Sequence, residues 1–341
     1  MRDGGVRDAG RNPLELPYTS NFDPNLIPPS FGNFDAANGL ICRLITDPST
    51  PRFEGLGCES DGAPSVYRTP SGRDVVLVHV DILDVEGTLE IEGPLPALFV
   101  VERFADLDGF IVANASGATP GPGAEVDDCG PARDGPTTSG GGGGGFGGAG
   151  AAGGRFGSGE PFGAPGEING AANLIPLRGG CAGGSGGAAV PVVGGGGGGA
   201  VQISAFERIV LDGQIYVNGG GGLGNGDGGG SGGGSGGAVL LEALLVDIGD
   251  TGRILASGGG GGAGGVPDDG ADGNAIATPA AGGGGPTPGG RGGLGPTPPT
   301  PGADGAGEGG GGGGGVGRVR INADVCRVDE DARVLPAPSG C

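Results

Sequence analysis

Residues 75–93 read VVLVHVDILDVEGTLEIEG. Val76, Val78, Val80 and Ile82 alternate with Leu77, His79, Asp81 and Leu83. A period of two marks a strand with one face toward a core, here with His79 facing outward. The pattern returns at 97–117 (ALFVVERFADLDGFIVANASG), 200–219 (AVQISAFERIVLDGQIYVNG) and 238–258 (AVLLEALLVDIGDTGRILASG). A shorter version stands at 316–323 (VGRVRINA).

The blocks superpose on Gly87, Gly109, Gly213 and Gly252. An apolar-rich strand precedes each glycine, and a short alternating strand follows it. Gly87 and Gly109 are 22 residues apart, a spacing typical of stacked repeats. Strands with Asp-Gly corners at that period predict an all-β fold, a right-handed parallel β-helix in which aligned Val, Ile and Leu fill a continuous core. The expected organisation is a tether or cap over 1–36, a capping segment over 37–74, a glycine-rich solenoid over 75–323 and a tail over 324–341.

Between the blocks lie long glycine segments, 117–199, 219–237 and 258–315. Of the 92 glycines, 12 fall in residues 1–116 and 80 after them. Two readings are open. Glycine loses the most backbone entropy on ordering, which favours flexible loops. Alternatively, the segments pack as polyglycine II-like strands with three residues per turn, approaching closely because no Cβ intervenes. Collagen is excluded, since the glycines come in blocks such as 140–145, 194–199 and 309–315 rather than at every third position.

The net charge is −21, and every basic residue is Arg. This balance argues against a nucleic-acid partner, and acidic membrane surfaces would repel it. A Walker phosphate loop is excluded by the absence of Lys. No stretch is long and apolar enough for a transmembrane segment.

Six cysteines, Cys42, Cys58, Cys129, Cys181, Cys326 and Cys341, lack metal-ligand spacing. An even count of this kind predicts three disulfides and an oxidising compartment. Sequence alone leaves fifteen pairings open; nearness along the chain suggests Cys42–Cys58, Cys129–Cys181 and Cys326–Cys341. The opening MRDGGVRDAG has no apolar signal core, so a signal segment is expected outside this sequence.

Candidate chemistry is sparse. His79 is the lone histidine, and no catalytic residue, cofactor or metal site is assigned. Superposed blocks bring Asp84 near Asp106 and Glu86 near Asp108, with Asp212 continuing the second series. Adjacent strands lie about 4.8 Å apart, so these carboxylates could share a proton or a Ca²⁺. Asp-Gly is also ordinary turn chemistry. GGLGNGD (221–227) is a faint likeness of a Ca²⁺-binding repeat. Asn114-Ala115-Ser116 matches the N-glycosylation pattern. The aromatic platforms of a sugar cleft are few, with no Trp and with Tyr18, Tyr67 and Tyr216 as the tyrosines.

The blocks SGATPGPG, LIPLRGGCAGG, GGGGGGAVQISA, GGGSGGAVLLEA, TPAAGGGG and GGGGVGRVRINA, closing near LPAPSGC, resemble glycine-rich surface or lipoprotein-like proteins of myxobacteria and related bacteria. The resemblance spans most of the chain from about residue 75. It implies export and carries no activity or catalytic residue. The expected function is a non-enzymatic structural or adhesive protein of the cell surface or extracellular space. Such a protein would partner itself, as filaments, or extracellular matrix and polysaccharide. A carbohydrate-binding or carbohydrate-cleaving protein is the alternative, and an ice-binding protein a lesser one.

Overall fold

The computed structural model describes residues 17–341 except 125–128, 131, 133 and 158–160. Residues 1–16 of the tether or cap expected over 1–36 therefore lie outside the described residues. Every regular element described is a strand, and they form two sheets. The larger has nine strands: β1 (Asn33–Ala36), β4 (Cys58–Ser60), β5 (Ser65–Arg68), β6 (Asp74–Val85), β8 (Ala97–Leu107), β10 (Ala200–Ala205), β11 (Arg208–Leu211), β13 (Ala238–Ile248) and β15 (Arg318–Val328). The smaller has seven: β2 (Ile41–Ile45), β3 (Arg52–Glu54), β7 (Thr88–Glu92), β9 (Phe110–Val112), β12 (Gln214–Tyr216), β14 (Arg253–Leu255) and β16 (Arg333–Leu335).

Each sequence block supplies one sheet before its Gly anchor and the other after it, and equivalent strands pair in parallel. Their inward side chains align in columns such as Val76–Ala97–Val201–Val239–Val319. These fill one core between the sheets, closed at the β1 end by Phe34 stacked on Phe53 at 4.6 Å. Burying each such Val, Leu or Phe contributes about 1.5–3 kcal/mol.

The right-handed parallel β-helix expected from the period is not what forms. β10 and β11 each pair with both β8 and β13, so β8, β10, β13 and β11 close a four-strand parallel ring flanked by the rest of the two sheets. Only between the first two blocks, across residues 93–96, does the chain pass straight on. It leaves the sheets over 113–199, 217–237 and 256–317 and returns through a separate glycine body. Antiparallel strands β3, β4 and β5 finish the β1 end. The strand phase differs too. The β6–β8 register shifts between Val80 and Ile82, so Leu83 and Val85 turn into the core while Ile82 is half-exposed.

In the glycine body, backbone bonds to backbone without a β ladder. Within 309–315, the N–H groups of Gly309, Gly312 and Gly315 donate to Thr138, Gly141 and Gly144; those of Gly310 and Gly313 donate to Ala303 and Thr300; those of Gly311 and Gly314 donate to Gly262 and Gly259. The carbonyls accept from three further segments, through Gly230, Gly233 and Gly236, Gly154 and Ala151, and Gly290 and Gly293. Each neighbour is met at every third residue. A Cβ on Gly312 would fall against the Ala151 carbonyl oxygen, so a side chain is excluded at that position. The segment is buried from 309 to 315, and its polar groups are paired as a buried backbone requires.

Residues 17–31 lie across the outer face of the larger sheet as a strap. From one end to the other, Tyr18 donates to Asp324 (2.6 Å), Ser20 to Glu242 (2.6 Å) and Asn21 to Gln202 (2.8 Å). Phe22 then packs with Tyr67, Val75, Leu77, Leu98 and Val100. The Pro28 carbonyl meets His79 Nδ1, and Ser30 meets Asp81. His79 does point away from the main core, but the strap covers it and leaves it 4% exposed. Three disulfides pair Cys42 with Cys58, Cys129 with Cys181 and Cys326 with Cys341. Covalent links of this kind fit an oxidising, extracellular-type environment. Among the described residues no helix is long and apolar enough to cross a membrane.

Candidate functional site

Two polar columns run across the larger sheet. The first is acidic. β1 pairs with β6 and β6 with β8, so Asp35, Asp84 and Asp106 are successive partners. Glu59 of β4 lies opposite Asp35, and beyond Asp106 the column continues through Val210 and Asp247 to Arg327. Asp106 and Asp247 have basic neighbours, Arg208 at 3.6 Å and Arg327 at 3.7 Å. Asp84 lies between Asp35 and Asp106. Burial, and then the charges of Asp35, Glu86, Asp106 and Asp108, push its carboxyl up to about 6. Burial followed by Glu59 and Glu86 raises Asp35.

Glu86, Asp108 and Asp212 stand one step further on, at the corners preceding Gly87, Gly109 and Gly213. Burial, then Asp108, Asp250 and Asp247, raise the Asp212 carboxyl. The corner glycines explain the Asp-Gly pattern in steric terms. A Cβ on Gly109 would meet the Gly87 carbonyl oxygen, and one on Gly213 would meet that of Gly109. The five carboxylates expected to gather thus form two adjacent series on one face. Among the described residues, no group of three or more acidic, His or Cys side chains converges as a metal site would require.

Sequence reasoning missed Asp35 and Glu59, which head the column from strands outside the repeated blocks. It also missed the second column. Ser204, Glu242 and Asn322 are partners across β10, β13 and β15. Glu242 is fully buried. Its carboxylate accepts from Ser20 (2.6 Å), Ser204 (2.8 Å), Gln202 (2.9 Å) and Asn322 (3.0 Å). Burial raises its pKa, and those hydrogen bonds offset only part of the rise. Asn21, 1% exposed, donates to the Leu174 carbonyl and accepts from the Leu177 N–H (both 2.9 Å), tying the strap to the 174–177 turn beside the glycine body. The signal was present in AVQISA, AVLLEA and VRINA, which carry a polar residue at matching places.

The remaining expected sites are committed to structure. In 221–227, the Gly221 and Gly224 N–H groups donate to Asp272 and Asp269 (2.7 and 2.8 Å). Asn114 Oδ1 accepts from the Asn218 N–H at 2.7 Å, and Asn218 Oδ1 accepts from the Ser257 N–H and hydroxyl, an internal ladder through the glycosylation motif. Tyr18, Tyr67 and Tyr216 occupy three separate places: the strap end, the cluster under Phe22 and the smaller sheet. No family model, curated protein or solved structure matches the chain.

Proposed function

We propose that this chain is a non-enzymatic structural or adhesive protein of the cell surface or extracellular space, and that its glycine segments work as a polyglycine II-like body. The observation that carries this reading is segment 309–315, buried and hydrogen-bonded to six neighbouring segments. Such an interior is built almost wholly of backbone, and its merit is stiffness. The turns at its surface, such as 187–193 with Val190 at 79% exposure, are the parts available for contact with matrix or with another copy. Three disulfides and the sequence resemblance support export.

Electron microscopy of the oxidised protein, with a binding assay on cells and matrix polysaccharide, tests the proposal. Filaments, sheets or specific adhesion support it. A monodisperse particle that binds neither cells nor matrix contradicts it.

A second reading, carbohydrate binding or cleavage, draws on Asp84. A carboxyl raised to about 6 beside the Asp106 carboxylate has the character of a general acid. Release of oligosaccharides that is lost in Asp84→Asn and Asp106→Asn would replace the structural reading with this one. No release across a broad polysaccharide panel would remove cleavage.

A further inference from the structure

The two ends of the paired sheets are built alike. Over the first half of the larger sheet each end is covered by the chain itself. At the β1 end, β5 pairs with β6 through Ser65–Arg68. At the other end the tail covers β15, with the Ile321 N–H donating to Ser339 O (2.9 Å) and the Ser339 N–H to Val319 O (3.0 Å). The second half is open at both ends. Among the described strands β4 pairs with β1 alone and β3 with β2 alone, while β16 pairs with β14 alone; the tail's backbone hydrogen bonds to β15 end at Ile321, and beyond them Cys341 is tied to Cys326 through the side chains only.

These open edges share their columns. Glu59 on β4 and Arg327 on β15 end the same column, as do Ser60 and Cys326, and Cys58 and Val328. On the smaller sheet Glu54 of β3 and Leu335 of β16 end one column. A second molecule stacked without lateral shift would set β4 on the 326–328 stretch and β3 on β16, antiparallel in both sheets.

The chemistry of the two edges is complementary. The β15 edge carries Arg327, 65% exposed although 3.7 Å from Asp247 of its own chain, with Val325 and Val328 exposed at 47% and 41%. The opposite end carries exposed Glu59 and the protruding Leu56. Other charges are present: Arg52 is held by Glu54 at 2.7 Å, and Asp329, Glu330 and Asp331 lie on the turn before β16. Each edge is also pinned by a disulfide, Cys42–Cys58 at β4 and Cys326–Cys341 at β15. Edges fixed in advance lose little freedom on docking.

We propose that a second copy of this chain docks head to tail, the β15–β16 edge of one molecule against the β4–β3 edge of the next, with Arg327 facing Glu59. A contact between different surfaces of identical chains does not close on itself, so it propagates as a filament. This deepens the structural reading above by naming its partner and its interface.

The test is sedimentation and electron microscopy of the full, oxidised chain over a concentration series, with Arg327→Glu and Glu59→Arg. Each variant alone places like charges across the contact and should not elongate. Mixed in equal amounts they restore opposite charges at every junction and should elongate as the wild type does. Unchanged thermal unfolding of both variants shows that folding is intact. Wild-type elongation that neither variant alters overturns this interface and leaves the structural reading standing. Wild type that never elongates, yet adheres to matrix, also overturns the interface alone. Loss of both elongation and adhesion overturns the two together.

Discussion

Ser20 Oγ donates to the Glu242 carboxylate at 2.6 Å, although 222 residues separate them along the chain. That bond holds the strap against the middle of the larger sheet, over a carboxylate with no access to water. Hydrogen bonds to a buried charged group contribute about 1.5–3 kcal/mol. Ser20→Ala should lower unfolding stability by that amount in urea titrations. Glu242→Ala should cost more, because Gln202, Ser204 and Asn322 lose their shared acceptor. A Ser20→Ala effect below about 0.5 kcal/mol, the range of a neutral surface change, would show that the strap is not latched here.

Stability should rise on acidification from neutral pH. Asp84 is raised to about 6, and Asp35, Asp212 and Glu242 are raised in the same direction. A carboxyl whose folded pKa exceeds its unfolded value binds its proton more tightly when folded. Its stabilising contribution is complete below the unfolded pKa and is lost as pH rises through the folded one. For Asp84 that loss centres near pH 6. The melting temperature should therefore increase between pH 7 and pH 5, and Asp84→Asn should raise it at pH 7 and flatten the profile. A melting temperature that falls steadily from pH 7 to pH 5 would contradict the raised carboxyl.

The corner column is intolerant of side chains. Gly109→Ala sets a methyl group against the Gly87 carbonyl oxygen, and overpacking of this kind costs about 1–3 kcal/mol. Gly307→Ala is the matched control, since a Cβ there meets nothing within 4 Å. Denaturant midpoints should separate the two variants; equal midpoints would refute the packing of the corners.

The Cys129–Cys181 disulfide spans 52 residues. In the chain-entropy account a loop of that size stabilises by about 4 kcal/mol. The double substitution Cys129→Ser with Cys181→Ser should lower stability by an amount of that order in calorimetry. Unchanged unfolding would mean that the glycine body holds itself together without it.

Much of this arrangement was legible in the sequence because it is local or periodic. The block spacing located the paired strands, and Gly87, Gly109 and Gly213 marked real corners. The unbroken alternation from Val76 to Leu83 misled, because the register shift after Val80 reverses which side faces the core. The coiled architecture was also misjudged, since nothing in the period shows that β10 and β11 each pair with both neighbours. The strap's contacts were not legible: Tyr18, Ser20, Asn21 and Phe22 carry no pattern, and their partners lie up to 306 residues away. Asp35 was missed for the same reason. It joins the acidic column from β1, outside every repeated block, and only the pairing of β1 with β6 brings it beside Asp84.

Amide hydrogen exchange in the glycine segments tests the central claim most directly. If the body is a solid structural element, amides of 140–145, 194–199 and 309–315 exchange as slowly as those of β6, β8 and β13, opening only with global unfolding. Exchange in those segments at the rate of an unprotected chain, while the strands remain protected, would contradict a solid glycine body and the structural function proposed for it.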